Sequence, residues 1–197
     1  MGNAAYTFLI AHADQSYWNV YYECPVYKVF VPVEVIDHYL PKKLDGFSAN
    51  TYENHINRLY FYAEENSMVT RTLFDDYIDG IPFTVSLRHF LQKLSKEKDP
   101  MVRYNFVITD NHLIFIRVPH FTDRNFRLRC KHITISSRAP SVRYAGEIWH
   151  DEQGNFVINN SSGTYRPADQ LISWVMQLFN CLSPNICFQG LTFRDSF

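Results

Sequence analysis

Apolar positions recur along this chain in two rhythms, strict alternation and helical spacing, and together these divide it into strands and helices. Tyr6–Ile10, Trp18–Glu23 and Val26–Val33 read as strands, short runs rich in β-branched and aromatic residues, with Pro25 and Pro32 bounding the last. Between Asn50 and Glu65, Tyr52, Ile56, Leu59 and Ala63 fit a helical face, while Arg58–Ala63 also suits a strand; helix is favoured. Ser86 suits an N-cap for a helix in which Leu87, Phe90, Leu91 and Leu94 share one face, with Lys93, Lys96 and Lys98 near its negative end. Asp99-Pro100 closes that half, because proline cannot continue the backbone ladder.

Beyond Pro100 the pattern turns to strands. Arg103–Thr109 and Leu113–Val118 flank the polar turn Asp110-Asn111-His112, the signature of a hairpin. Phe126–Ser136, Val142–Trp149 and Asn155–Asn159 continue the series as a meander, with Asp151-Glu152-Gln153-Gly154 as its next turn. A helix is expected to start at Pro167, which is tolerated in a first turn, and to bury Leu171, Val175, Leu178 and Leu182. Cys187–Phe193 reads as the closing strand. The fold class is therefore α+β, a mostly antiparallel sheet packed by two or more helices. With no linker-like stretch or internal repeat, the 197 residues read as a single globular domain with a mixed N-terminal half, 1–100, and a β-rich half, 101–197.

Composition narrows the classes. With 46% hydrophobic residues the chain can bury a core, and 16 Phe and 13 Tyr against 7 Gly favour pleated, half-buried strands. Its 19 basic and 20 acidic side chains leave a net charge of −1, so nucleic acid is not an expected partner unless a local patch draws it. No apolar run reaches the eighteen or so residues of a membrane span. Cys24, Cys130, Cys181 and Cys187 lack the paired spacing of a secreted scaffold, and no leader pattern precedes Ala4–Ala11, so a reducing, cytoplasmic setting is expected. An effector would meet it as the cytoplasm of a host. Gly2 could accept a myristoyl group, but Tyr6 stands where Ser or Thr is preferred.

The stretch with most chemistry is Asn159-Asn160-Ser161-Ser162-Gly163-Thr164-Tyr165-Arg166-Pro167, a polar loop leading from a strand toward a helix. Backbone N–H groups at a helix start, beside hydroxyls and an arginine, suit a phosphate or carboxylate. The same composition also suits a plain cap, with Ser161, Ser162 and Thr164 closing the helix and Gly163 supplying a positive φ. Arg127, Arg129 and Lys131 alternate along one strand face and could extend a basic surface through Arg124 and Arg143 toward Arg166, or simply form the wet side of a sheet. Glu147, in a largely apolar strand, needs a partner or a shifted pKa, and reads either as a general base or as one half of an ion pair with Arg143 or Arg166 that closes the strand to the loop.

Other chemistries find less. The eight histidines are scattered and no cysteine pair shows zinc spacing, so no metal is assigned and no cofactor can be named. Asp75, Asp76 and Asp79 precede Gly80, but Ile78 breaks a calcium loop's alternation and no Glu takes the twelfth place. Cys24, Cys130, Ser161 and Ser162 sit in no nucleophile signature.

Ala139–Leu171 also resembles a module shared by plant calmodulin-associated IQ-motif proteins and by bacterial toxin-like or effector-like proteins. That module runs through a V-x-x-AGE strand, a G turn and an N-x-SGHYxP loop. Val142, Ala145, Gly146 and Glu147 match its first element, Gly154 the turn, and Asn160, Ser162, Gly163, Tyr165 and Pro167 the loop. Thr164 stands where the module has histidine, so any chemistry that histidine carries is not implied here. The IQ pattern itself is absent, and calmodulin binding is not carried over.

Two functions follow as expectations. One is an effector-like domain binding a phosphate-bearing ligand, as a nucleotide-dependent transferase would, with Ser161, Ser162, Gly163, Thr164, Arg166 and Arg143 holding the ligand and Glu147 orienting or deprotonating a group. The other is a non-catalytic interaction module that presents an aromatic surface to a protein partner.

Overall fold

The computed structural model describes residues 26–44, 82–84, 86–118, 130–136 and 139–195. The proposed strands Tyr6–Ile10 and Trp18–Glu23, the Asn50–Glu65 segment, Cys24, the Asp75–Gly80 turn, Arg124, Arg127 and Arg129 lie outside them. Among the described residues seven strands form one sheet: β1 (Val26–Phe30), β2 (Pro82–Thr84), β3 (Tyr104–Ile108), β4 (His112–Arg117), β5 (Tyr144–His150), β6 (Phe156–Asn159) and β7 (Phe188–Leu191). Their order is β2-β1-β4-β3-β5-β6-β7, antiparallel at four junctions and parallel at β1/β2 and β6/β7. Among the described residues four helices accompany it: α1 (Val33–Tyr39), α2 (Leu87–Leu94), α3 (His132–Ile135) and α4 (Leu171–Leu182). The α+β class with a mostly antiparallel sheet is what the pattern led to. Among the described residues no helix is long and apolar enough to cross a membrane.

The sheet's two faces follow from the period of two along each strand. Tyr104, Phe106 and Ile108 on β3, Leu113 and Phe115 on β4, and Tyr144 and Ile148 on β5 point to one side and are buried. Phe90 of α2 stacks on Phe115 with ring centres 4.0 Å apart, and Phe179 of α4 meets Phe106 at 5.7 Å, so these helices cover that face. Ser86 caps α2 as expected, accepting the His89 N–H at 3.2 Å, and Leu87, Phe90, Leu91 and Leu94 are its buried stripe. The opposite face carries α3, anchored where the Asn105 side chain donates to the Cys130 carbonyl and where Cys130 Sγ lies 3.3 Å from the Arg117 carbonyl.

Several boundaries differ from the sequence reading, each for a physical reason. The first described strand stops at Phe30 and not at Val33, because Pro32 opens α1, whose buried Ile36 is followed by buried Leu40 and Leu44. The strand expected over Phe126–Ser136 is, in its described part, the single turn of α3. The strands make no simple meander: β5 pairs with β3, leaving β4 to pair with β1. Most relevant to function, the last helix begins at Leu171 and not at Pro167. Arg166 holds a positive φ of 44°, which no helix accommodates, so residues 160–170 form a loop of their own before α4 carries the chain to β7, parallel to β6. Within α4 the expected stripe holds for Leu171, Val175 and Leu178, with Ile172 and Phe179 also buried and Leu182 half-buried.

Candidate functional site

The loop and the AGE strand meet at the Asn159 side chain. Its Oδ1 accepts from the backbone N–H of Glu147 at 2.9 Å and of Ser161 at 3.0 Å, while its Nδ2 donates to Glu147 Oε2 at 2.9 Å. One buried carboxamide thus ties the acidic residue to the start of the loop. Gly146 makes the approach possible: a Cβ there would stand 2.0 Å from the Asn159 carbonyl oxygen, which instead accepts from the Tyr144 hydroxyl at 3.0 Å.

The loop is held at both ends. The Asn160 amide donates to the Pro167 carbonyl and the Asp169 carboxylate, at 2.9 and 2.7 Å, and Asn160 Oδ1 accepts the Phe193 N–H. Tyr165, fully buried, donates its hydroxyl to the Ala139 carbonyl at 2.6 Å and lies 2.7 Å from Ser136 Oγ. Ser162 closes the turn through both its atoms, Oγ accepting the Tyr165 N–H and its carbonyl the Arg166 N–H. Ser162 and Thr164 are buried, Ser161 is half-buried, and Gly163 and Arg166 are exposed. The Arg166 guanidinium curls back, Nε donating to the Gly163 carbonyl at 3.2 Å.

Arg143 does not join this constellation. It is 3% exposed, and its guanidinium bonds Asp110 Oδ1 through Nε and Asp37 Oδ1 through an Nη, both at 2.7 Å. Burial alone would depress its pKa, but the two carboxylates outweigh that and hold it above the ordinary value. The expected partnership with Glu147 is replaced by the Asn159 carboxamide, because Arg143 stands just before β5 and the extended chain carries Glu147 about 13 Å further along the sheet. Lys131, the described member of the proposed basic row, is exposed just before α3.

Among the described residues, the cation that approaches Glu147 is Arg103. Half-buried, it lays its guanidinium 4.1 Å from the ring centre of Trp149 and donates to the Pro100 and Val102 carbonyls. Desolvation lowers its pKa, and the Glu147 and Asp99 carboxylates oppose the shift. Asn105 faces Glu147 directly across the β3/β5 ladder. The sequence held a signal for these residues: polar side chains at alternate positions of strands otherwise filled by Tyr, Phe, Val and Ile. Which strands were neighbours, and so which polar positions met, depended on the β5/β3 pairing.

A second feature stands apart, an open groove of about 360 Å³ between α1 and α4, lined by Asp37, Tyr39, Pro41, Trp174 and Gln177 among others. Trp174 is 41% exposed there. Among the described residues no three His, Cys, Asp or Glu side chains group as metal ligands would. No family model, curated protein or solved structure matches this chain.

Proposed function

We propose that this chain is an effector-like ligand-binding domain whose ligand carries a phosphate, a nucleotide in the first instance, bound where β5, β6 and the 160–167 loop meet. The observation that carries this reading is Arg166. A non-glycine residue in the left-handed region costs about 1–2 kcal/mol, yet a charged one is held there with its side chain exposed at the tip of a loop otherwise fixed by buried bonds. Strain retained at an exposed cation is a mark of function. The likeness of Ala139–Leu171 to the AGE and SGHYxP module adds support. Glu147, joined to the same loop by Asn159, is the group that would orient or deprotonate the ligand.

A thermal-shift panel of pyrophosphate, ATP, NAD, divalent metals and calmodulin tests the reading. Ligand at 100 times its dissociation constant adds about 2.7 kcal/mol, a shift of several degrees, and the shift is expected with phosphate-bearing compounds and lost in Arg166→Ala. A flat panel contradicts it.

The α1/α4 groove favours a second reading, a non-catalytic protein-interaction module. An exposed tryptophan beside a tyrosine and a proline is the surface chemistry of a docking site for a protein partner. Under this reading Trp174→Ala abolishes partner binding, whereas under the first it leaves nucleotide binding unchanged.

A further inference from the structure

The sheet face opposite the aromatic core carries a polar row whose hydrogen-bonding groups the fold uses only in part. Asn105, Glu147 and Asn159 stand on adjacent strands β3, β5 and β6, with buried Val107, Ala145 and Val157 as same-face neighbours. Asn159 occupies Glu147 Oε2, but Oε1 has no hydrogen bond among the described residues. Asn105 donates to Cys130, and its own Oδ1 is buried without a donor. Such an atom costs about 1–3 kcal/mol. Diagonally across the ladder, Arg103 is held flat against Trp149 and forms no salt bridge with Glu147 among the described residues. Acceptors and a guanidinium donor therefore lie side by side without satisfying one another.

We propose that Arg103 and Glu147 together recognise a planar amide edge, an N–H beside a C=O, on the ligand. The ligand N–H donates to Glu147 Oε1, and Arg103 donates to the ligand carbonyl. Stacking on Trp149 fixes the guanidinium plane, which lowers the entropy lost when it bonds. A lone phosphate offers no donor for Glu147, and a simple amine offers no acceptor for Arg103. The lactam edge of a guanine base and a primary carboxamide both offer the pair. This inference rests on the reading that the β5/β6 end of the sheet is a ligand site, and it names the part of the ligand beyond its phosphate.

Titration calorimetry with GMP, nicotinamide mononucleotide and ribose 5-phosphate separates the two claims. At least one of the first two is expected to bind about tenfold or more tightly than ribose 5-phosphate, as a site built to bond an N–H discriminates. Glu147→Gln is expected to abolish that gap. GMP identifies a lactam as the edge, and nicotinamide mononucleotide a carboxamide. Equal binding of all three overturns the amide-edge inference while the phosphate reading stands. If none binds, guanosine and nicotinamide are titrated without phosphate: Glu147-dependent binding keeps the inference and removes the phosphate reading, and no binding removes both. The comparison on the unmodified protein needs no variant to fold.

Discussion

The Asn159 side chain bonds Glu147 twice, at its backbone nitrogen and at its carboxylate, and reaches Ser161 with the same oxygen. A carboxamide that supplies one acceptor to two N–H groups and one donor to a carboxylate makes the AGE strand and the SSGTYRP loop a single unit. Asn159→Ala leaves those two N–H groups without a side-chain partner, and a loss of about 2–3 kcal/mol is expected. Urea denaturation of the variant measures it. A loss below about 0.5 kcal/mol, typical of an unconstrained surface change, contradicts the proposed coupling.

Arg166→Gly separates fold from function. Glycine takes a φ of 44° without steric cost, so relief of strain opposes the entropy glycine adds to the unfolded chain. The melting temperature is expected to hold or rise, by up to about 1 kcal/mol of stability, while phosphate-ligand binding is lost. A variant that melts well below the parent shows that the Arg166 side chain supports the loop itself.

Gly146 cannot carry a side chain. A methyl carbon at this position would lie 2.0 Å from the Asn159 carbonyl oxygen, so Gly146→Ala forces β5 and β6 apart. Overpacking of this kind costs about 1–3 kcal/mol, and here the obstructing atom is backbone, so the upper end is expected. Loss of the Tyr144 hydroxyl bond to that carbonyl accompanies it, visible as faster exchange of the β5 and β6 amides.

His132 gives the fold an acid-sensitive point. Burial pushes its pKa down to about 4, the Gly146 carbonyl bond opposing and nearby Lys131 reinforcing the shift. The unfolded chain, at the ordinary value of about 6.5, takes up the proton first. The contribution is whole above pH 6.5 and is lost as pH falls toward 4, amounting to about 3 kcal/mol at 1.36 kcal/mol per unit. Between pH 7 and 4, His132→Gln is expected to lose less stability than the parent by about this amount. Parallel stability profiles contradict a buried neutral imidazole.

The elements were legible where a local rule decides them. Ser86 with its apolar stripe, the Asp110-Asn111-His112 hairpin and the Gly154 turn, at φ 86°, each depend on neighbours in sequence. What could not be read depends on distant pairing. Arg143 meets Asp37, 106 residues away, and Arg103 meets Trp149 only because β5 pairs with β3. The loop residues were identifiable from their types, but the mistaken helix start at Pro167 followed from proline's usual place, which the Asn160 staple and the Arg166 backbone override.

The most direct test is titration of ATP into the parent protein and into Arg166→Gly, both checked for folding by thermal melt. Saturable binding by the parent and none by a stably folded variant is the expected result. Equal binding by both, or none by the parent, contradicts a phosphate site at the 160–167 loop.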